Sequence, residues 1–278
     1  MPQNPHSNSN AVFEDFTHGV GKRWTETGIG EGFLTSVDGV LRMSFDSAHQ
    51  GQYTDAQIDD YAGLARASFP WRPPLLMEIR ARASHPAATD ISSSEDTSML
   101  RGTAGFGFWN YPFSARGDIL MLPESIWFFY ASPPSNMALV PGIPGWGWKA
   151  QVVHSMRAGA LASVVPTALA TGWGRLTGET RPAARWLQRL SGAHETLITA
   201  QLSEWHTYRL EWRTHLATFW VDNTLVLRVL DPPARPLGFV AWLDNQYAVA
   251  TPKGVLRFET LDSGPQWFEL GSISIKPL

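Results

Sequence analysis

The chain has 278 residues, 17% of them charged and 12% aromatic, with 13 Trp, 24 Gly and 20 Pro. So few charges beside so many aromatics point to a compact domain with a large core, not a disordered chain. A net charge of −3 argues against electrostatic nucleic-acid binding, and the absence of cysteine excludes disulfides, thiolate metal sites and a cysteine nucleophile.

Residues Met1 to Asn10 are polar and are expected to form a disordered lead-in to a single domain over 11–278. They lack the basic and apolar regions of a signal peptide. No apolar run reaches the ~18 residues of a membrane-spanning helix. The expectation is a soluble, cytoplasmic protein, exported only if a signal has been trimmed.

Phe13-Glu14-Asp15-Phe16 opens the fold. Asp38-Gly39 is a turn signal, and Leu41, Met43 and Phe45 after it alternate as a strand does. Tyr53 to Phe69 mixes Gln57, Asp59, Asp60 and Arg66 with apolar residues, and Pro70 to Pro74 is a break. Leu76 to Arg82 alternates again, with Glu78, Arg80 and Arg82 on one side. His85 to Thr97 reads as a mobile loop. Gly102 to Asn110 is Gly-rich and aromatic, a pattern that marks close backbone approach or a bulge. Ile126 to Tyr130 is an unbroken apolar strand, expected to be covered on both faces. Pro141 to Lys149 is a loop carrying Trp146 and Trp148, and Gln151 to His154 is a short strand.

Between Ser155 and Leu202 the alternation is lost. Ala158 to Ala170 is rich in Ala, Leu and Val, while Trp186, Leu187 and Leu190 follow helical spacing after Pro182. The segment reads as a helical insertion, placed to act as a lid on the cleft. Alternation returns at Tyr208, Leu210 and Trp212, which interleave with Arg209, Glu211 and Arg213. A turn near Thr214 leads into Phe219-Trp220-Val221, and Asp222-Asn223 supplies the left-handed residues of a tight hairpin. Leu225 to Val229, Leu237 to Trp242, Val255 to Phe258, Trp267 to Leu270 and Ile273 to Ile275 complete the strands. The fold class is therefore all-β, an antiparallel sandwich.

The hairpin Glu204-Trp205-His206-Thr207-Tyr208-Arg209-Leu210-Glu211-Trp212 … Phe219-Trp220-Val221-Asp222-Asn223 resembles the "WHTYxxEW … FYVDG" hairpin of the concanavalin A-like lectin/glucanase superfamily, which includes laminarinase- and lichenase-type glycosidases. Gly102 to Trp109 is similar to its "GTWPAFW" strand, Gln151 to His154 to a strand ending in His, and Leu237 to Asn245 to its "lilNl" strand. The resemblance implies a concanavalin A-like jelly roll. It does not imply a reaction, because the scaffold carries both enzymes and binding modules.

Glycosidases of that superfamily carry E-x-D-x-x-E on one strand of the concave face, and retaining chemistry needs two carboxyls ~5–5.5 Å apart. The strand matching by order, Glu124 to Tyr130, holds only Glu124, so the catalytic pair does not carry over. Glu124 stands as a lone candidate acid, against the plainer reading of a strand-end residue after Pro123. His154 is a candidate base, against a hydrogen-bonded structural histidine. Glu78 and Arg80 beside Gln151 and His154 resemble the "RxELR" and "QIH" strands of jelly-roll alginate lyases, a minor lyase-like alternative. No metal signature or phosphate-cradling loop is present, and no cofactor is expected. Asp244-Asn245 could offer oxygens to calcium, as in lectins of this fold, but reads better as a turn.

The positive signal is aromatic. Trp109, Trp127, Trp146, Trp148 and Trp242 lie in or beside strands that form the concave face, where indole faces suit sugar rings. Two or three of them are expected to be core, with Trp146 and Trp148 at the mouth of the cleft. Asn110, Gln151 and Asp244 are the candidate polar partners. The reading is a carbohydrate- or glycoside-binding protein with a non-standard site if it is an enzyme. The alternatives are a binder or enzyme for an apolar small molecule in a lidded cavity, and a structural or partner-binding domain.

Overall fold

The structure is a computed structural model and describes residues 11–89, 98–111, 123–136, 139–140, 142–154, 192–250 and 256–278. The strands in chain order are β1 (Val12–Glu14), β2 (Thr25–Ile29), β3 (Phe33–Val37), β4 (Val40–Phe45), β5 (Asp55–Asp59), β6 (Leu75–Ala83), β7 (Thr103–Trp109), β8 (Glu124–Ala131) and β9 (Gly147–His154). They continue with β10 (His194–Leu197), β11 (His206–Arg213), β12 (Leu216–Val221), β13 (Thr224–Leu230), β14 (Gly238–Asp244), β15 (Gln246–Ala250), β16 (Leu256–Thr260) and β17 (Gln266–Pro277). One sheet runs β13-β12-β11-β6-β17-β4-β3, with β1 also on β17; the other runs β10-β9-β8-β7-β14-β5-β2; β15 and β16 form a separate hairpin. Every strand pairing is antiparallel. The two large sheets make the sandwich expected from the alternation.

Alternation decides which residues fill the space between them. From the first sheet come Leu41, Met43 and Phe45, Met77, Ile79 and Ala81, Tyr208, Leu210 and Trp212, and Ala217, Phe219 and Val221. From the second come Ala56 and Ile58, Ala104, Phe106 and Phe108, Ile126, Phe128 and Tyr130, Trp148, Ala150 and Val152, and Phe239, Ala241 and Leu243. Each large side chain withdrawn from water this way is worth roughly 1.5–3 kcal/mol. On β17 the inward parity switches, from Phe268 and Leu270 to Ile273 and Ile275. A bulge between Leu270 and Ser272 supplies the extra residue, and both halves of the strand thereby keep an apolar side inward.

Two turns have the predicted chemistry. Asp38 and Gly39 have φ of 54° and 74°, and Asp222 and Asn223 have φ of 47° and 67°. These are the paired left-handed residues that two-residue hairpins require. The Ile126–Tyr130 strand is covered on both faces as expected: Ile126, Phe128 and Tyr130 enter the main core, and Trp127 and Phe129 pack against a second aromatic cluster.

The helical insertion over 155–202 needs correction at its C-terminal end. His194–Leu197 is strand β10, paired with β9. The partner strand satisfies the backbone edge that β9 would otherwise expose, which outweighs the weak local pattern. No α-helix occurs among the described residues. Residues 155–191, on which the helical and lid expectations chiefly rest, lie outside the described residues, as do the lead-in 1–10 and 90–97 of the expected mobile loop.

Candidate functional site

The side of the second sheet that faces away from the sandwich core can be read as rows across the strands. One row runs Ile29–Asp55–Asp244–Thr103–Ala131–Gly147, the next Thr27–Gln57–Trp242–Gly105–Phe129–Lys149–Leu197. The third runs Thr25–Asp59–Val240–Gly107–Trp127–Gln151–Glu195, and the fourth holds Gly238–Trp109–Ser125–Val153. The centre of this face is aromatic and its two flanks are polar.

The aromatic centre is a contiguous plate. Trp127 lies 5.2 Å from Trp242, 5.4 Å from Phe129 and 5.9 Å from Trp109, measured between ring centroids. Tyr111 and Tyr61 extend it beyond Trp109. Gly105 and Gly107 make room for the rings. A Cβ at Gly105 would stand 3.0 Å from the Trp242 indole, and one at Gly107 2.6 Å from the Trp127 Cβ. Trp109, Trp127 and Phe129 are half-buried, while Trp242 is buried. The plate is therefore accessible along the Trp109–Trp127–Phe129 line.

Two indoles are locked by hydrogen bonds. Trp127 Nε1 donates to Gln151 Oε1 at 2.7 Å, and Gln151 Nε2 donates to Glu195 Oε2 at 2.8 Å. The Lys149 ammonium donates to the same Glu195 oxygen at 3.3 Å and to the Pro144 carbonyl. Burial pushes the Lys149 pKa down, opposed by the Glu195 charge. On the other flank Trp242 Nε1 donates to Thr103 Oγ1 at 2.9 Å, which donates to Asp244 Oδ1 at 2.8 Å. Fixing ring orientation in this way is what a stacking surface needs, because a freely turning ring loses entropy when a ligand lands on it.

Asp55 and Asp244 face each other across β5 and β14. Burial and the neighbouring Asp244 charge push the Asp55 carboxyl up to about 8. Burial pushes Asp244 up to about 6 against the hydrogen bonds from Thr103 and Gln246 that favour its ionised form. One of the pair therefore holds a proton near neutrality. Asp59 accepts from the Tyr61 and Ala62 N–H groups and from Gln57. Asp55, Lys149 and Glu195 escaped the sequence reading: only the cross-strand register brings them, opposite Asp244, Phe129 and Gln151, onto the aromatic face.

The predicted residues divide between the two sides of the sheet. Trp109, Trp127, Gln151, Trp242 and Asp244 share the aromatic face. Trp148 does not, which corrects its placement at the cleft mouth: it is 1% exposed in the core, against Phe106, Phe128 and Tyr208. It stands three residues from Gln151 on one strand and so points the opposite way. Trp146 is half-buried in the loop before β9. Asn110 is buried, and its Oδ1 accepts the Glu124 N–H at 3.1 Å.

Glu124 and His154 do meet, with Nε2 and Oε1 3.3 Å apart, but on the inner side of the sheet with Ile126 and Val152. Glu124 is 1% exposed, and burial raises its pKa against the opposing Arg235, 4.0 Å away. The β8 residues on the aromatic face are Ser125, Trp127, Phe129 and Ala131, none of them a carboxylate. The alginate lyase-like grouping also fails, because Glu78 and Arg80 are on β6 of the opposite sheet, not beside Gln151 and His154. Asn245 uses its side chain to accept the Thr54 N–H and to donate to the Gln52 and Leu261 carbonyls. Its role is a structural tie. Among the described residues no group of three or more His, Asp or Glu side chains is arranged to hold a metal ion, and no helix is long and apolar enough to cross a membrane.

No protein-family model and no curated protein sequence matches the chain. In three dimensions it is similar to an endo-acting O-glycanase expressed by human gut microbiota to initiate mucin breakdown, with 10% identity, 96% of this chain and 98% of the other covered, and a TM-score of 0.52. It is similar to a prokaryotic β-1,3-1,4-glucanase (lichenase) from a mouse hindgut metagenome, with 12% identity, coverage of 96% and 99%, and a TM-score of 0.50. A third similar structure is an endo-β-1,3-glucanase from Pyrococcus furiosus, with 8% identity, coverage of 96% and 93%, and a TM-score of 0.50. The chain thus has the concanavalin A-like β-sandwich fold of the laminarinase and lichenase type. At these identities the likeness establishes the fold and no activity.

Proposed function

We propose that the protein binds a carbohydrate chain on the aromatic face of its second sheet. The observation that carries this reading is the accessible Trp109–Trp127–Phe129 line, with the Trp127 ring held by Gln151. Apolar ring faces with a few fixed polar groups beside them suit the mixed surface of a pyranose. The similar structures act on mucin O-glycans and on β-glucans, and those two substrate classes are the first to test. Any hydrolysis on this face does not use paired carboxylates on β8, since retaining chemistry needs two acids ~5–5.5 Å apart across the bond. Buried Glu124 and half-buried His154 pair at the inner end of β8 and β9.

A second reading is an apolar small-molecule site. It is favoured by the near-complete burial of Trp242, Val240, Phe69 and Tyr61 in the same cluster. Tryptophan fluorescence titration separates the two. Laminarin, lichenan and mucin O-glycans are added to the wild-type protein and to Trp127→Ala. Saturable binding of at least one glycan by the wild type, weakened tenfold or more in Trp127→Ala, supports the carbohydrate reading. Binding of an apolar dye such as anilinonaphthalene sulfonate, with no glycan bound, transfers the face to the second reading.

A further inference from the structure

The outer face of the first sheet, on the opposite side of the molecule from the aromatic plate, carries a continuous stack of guanidiniums and indoles. The Arg42 guanidinium lies 4.7 Å from the Trp267 ring centroid, and Arg82 lies 5.2 Å from the same ring. Arg82 is also 4.7 Å from the Trp205 ring, and Arg80 is 4.3 Å from it. The order is therefore Arg42, Trp267, Arg82, Trp205, Arg80. One step further along, Arg209 lies 4.8 Å over Trp220. We infer that this strip is a docking site for an acidic polysaccharide, recognised through its carboxylate or sulfate groups.

Charge is the first argument. The strip carries four guanidiniums against the carboxylates of Glu269 and Glu78. Glu269 is buried beneath it and accepts from both Arg42 and Arg82 at 2.8 and 2.7 Å. Arg80 is exposed, its cross-strand neighbours are the uncharged Thr207 and Ser272, and no carboxylate pairs with it among the described residues. A local excess of positive charge thus stands on a chain whose net charge is −3. A polyanion gains from that patch while the rest of the surface repels it.

Preorganisation is the second argument. A guanidinium laid on an indole is restrained in plane; Glu269 takes the Nε–Nη2 edge of Arg42 and the Nε of Arg82, so the edge left for a ligand is the one formed by the two terminal nitrogens. That edge matches a carboxylate or sulfate bidentately, at less entropic cost than a free side chain would pay. Glu269 holds Arg42 and Arg82 in the same way from below.

Shape selects the occupant. The strip crosses β4, β17, β6, β11 and β12, a span of roughly 19 Å at ~4.8 Å per strand, and is only one or two side chains wide. That suits one extended polymer chain and not a flat lipid surface. A single-stranded nucleic acid relies on free aromatic rings to stack its bases. Here Trp267 and Trp205 are each already engaged by two guanidiniums, so the contacts left are those to anionic groups along a chain.

The test uses the full chain with polygalacturonate and dextran sulfate as probes, by isothermal titration calorimetry at 50 and 500 mM NaCl. Binding of at least one probe at 50 mM is expected, weakened tenfold or more at 500 mM, as charge-dominated contacts are. Arg80→Gln and Arg209→Gln together should weaken binding at least fivefold. Arg80 pairs with no carboxylate among the described residues, and an unchanged near-UV circular dichroism spectrum certifies the fold. Arg228→Gln, on β13 of the same sheet but off the strip, should bind as the wild type does. The proposal is overturned if neither polysaccharide binds the wild type at 50 mM, or if the double variant binds unchanged. It is also overturned if Arg228→Gln weakens binding as much as the double variant does. Tighter binding of single-stranded DNA or of phosphatidylserine vesicles would reassign the strip to that partner.

Discussion

Asp55 offers the sharpest test of the polar flank of the aromatic face. Its carboxyl is 3% exposed, one of its oxygens has no hydrogen-bond partner among the described residues, and Asp244 stands directly across from it. The folded-state pKa is pushed up to about 8, against roughly 3.9 in an unfolded chain. Between those two values the unfolded state has released the proton and the folded state still holds it. Stability therefore falls as pH rises through this window and levels off above pH 8. At about 1.4 kcal/mol per unit, the cost grows by roughly 4 kcal/mol between pH 5 and pH 8.5. Asp55→Asn keeps the shape, removes the titration and relieves the like-charge contact with Asp244. Urea unfolding of the variant and the wild type at both pH values gives the difference directly. The variant should gain about 4 kcal/mol more, relative to the wild type, at pH 8.5 than at pH 5, equivalent to order 10 °C in midpoint for a chain of this size. Using the difference between proteins cancels the titrating groups that do not interact with Asp55, leaving its own titration and the change it imposes on Asp244. A variant-minus-wild-type difference that does not change with pH would refute the raised pKa, and with it the proton held between Asp55 and Asp244.

Three further outcomes follow from the same geometry. Trp148→Ala should destabilise the fold by about 3–5 kcal/mol through loss of core packing, read by chemical denaturation, whereas Trp127→Ala should cost less and lose glycan binding instead. Gly107→Ala should cost roughly 3 kcal/mol or more, because the backbone there has φ of 148° and the new Cβ would stand 2.6 Å from the Ile126 carbonyl oxygen. Glu124→Gln should leave any glycan-degrading activity intact, since the side chain points between the sheets. A reducing-sugar assay in which the wild type hydrolyses a glucan and Glu124→Gln does not would return the acid role to Glu124.

The sandwich was legible in the sequence because its determinants are local. Tyr208, Leu210 and Trp212 alternate with charged residues whatever lies across from them, and Asp38-Gly39 and Asp222-Asn223 enforce hairpins through their own backbone preferences. The aromatic richness of one face was legible too, since Trp109, Trp127 and Trp242 sit on strands that composition alone marks as partly buried. The missing carboxylate pair on β8 could be read directly from Glu124 to Tyr130.

Other features depended on register and on which side of the sheet each position falls. Trp127 and Trp148 look alike in sequence, but pairing Trp127 with Gln151 sends Trp148, three residues earlier, to the opposite side. The same parity turns Glu124 inward, where burial makes it a structural acid. β10 carries no local strand signal and exists because β9 offers it an unpaired edge. Asp55 and Asp244 come from distant parts of the chain, and so do Arg42, Arg82 and Trp267. Each is an ordinary surface residue type in its own stretch. Their perturbed protonation and stacked arrangement arise only when adjacent strands set them a few ångströms apart in a medium too dry to screen them.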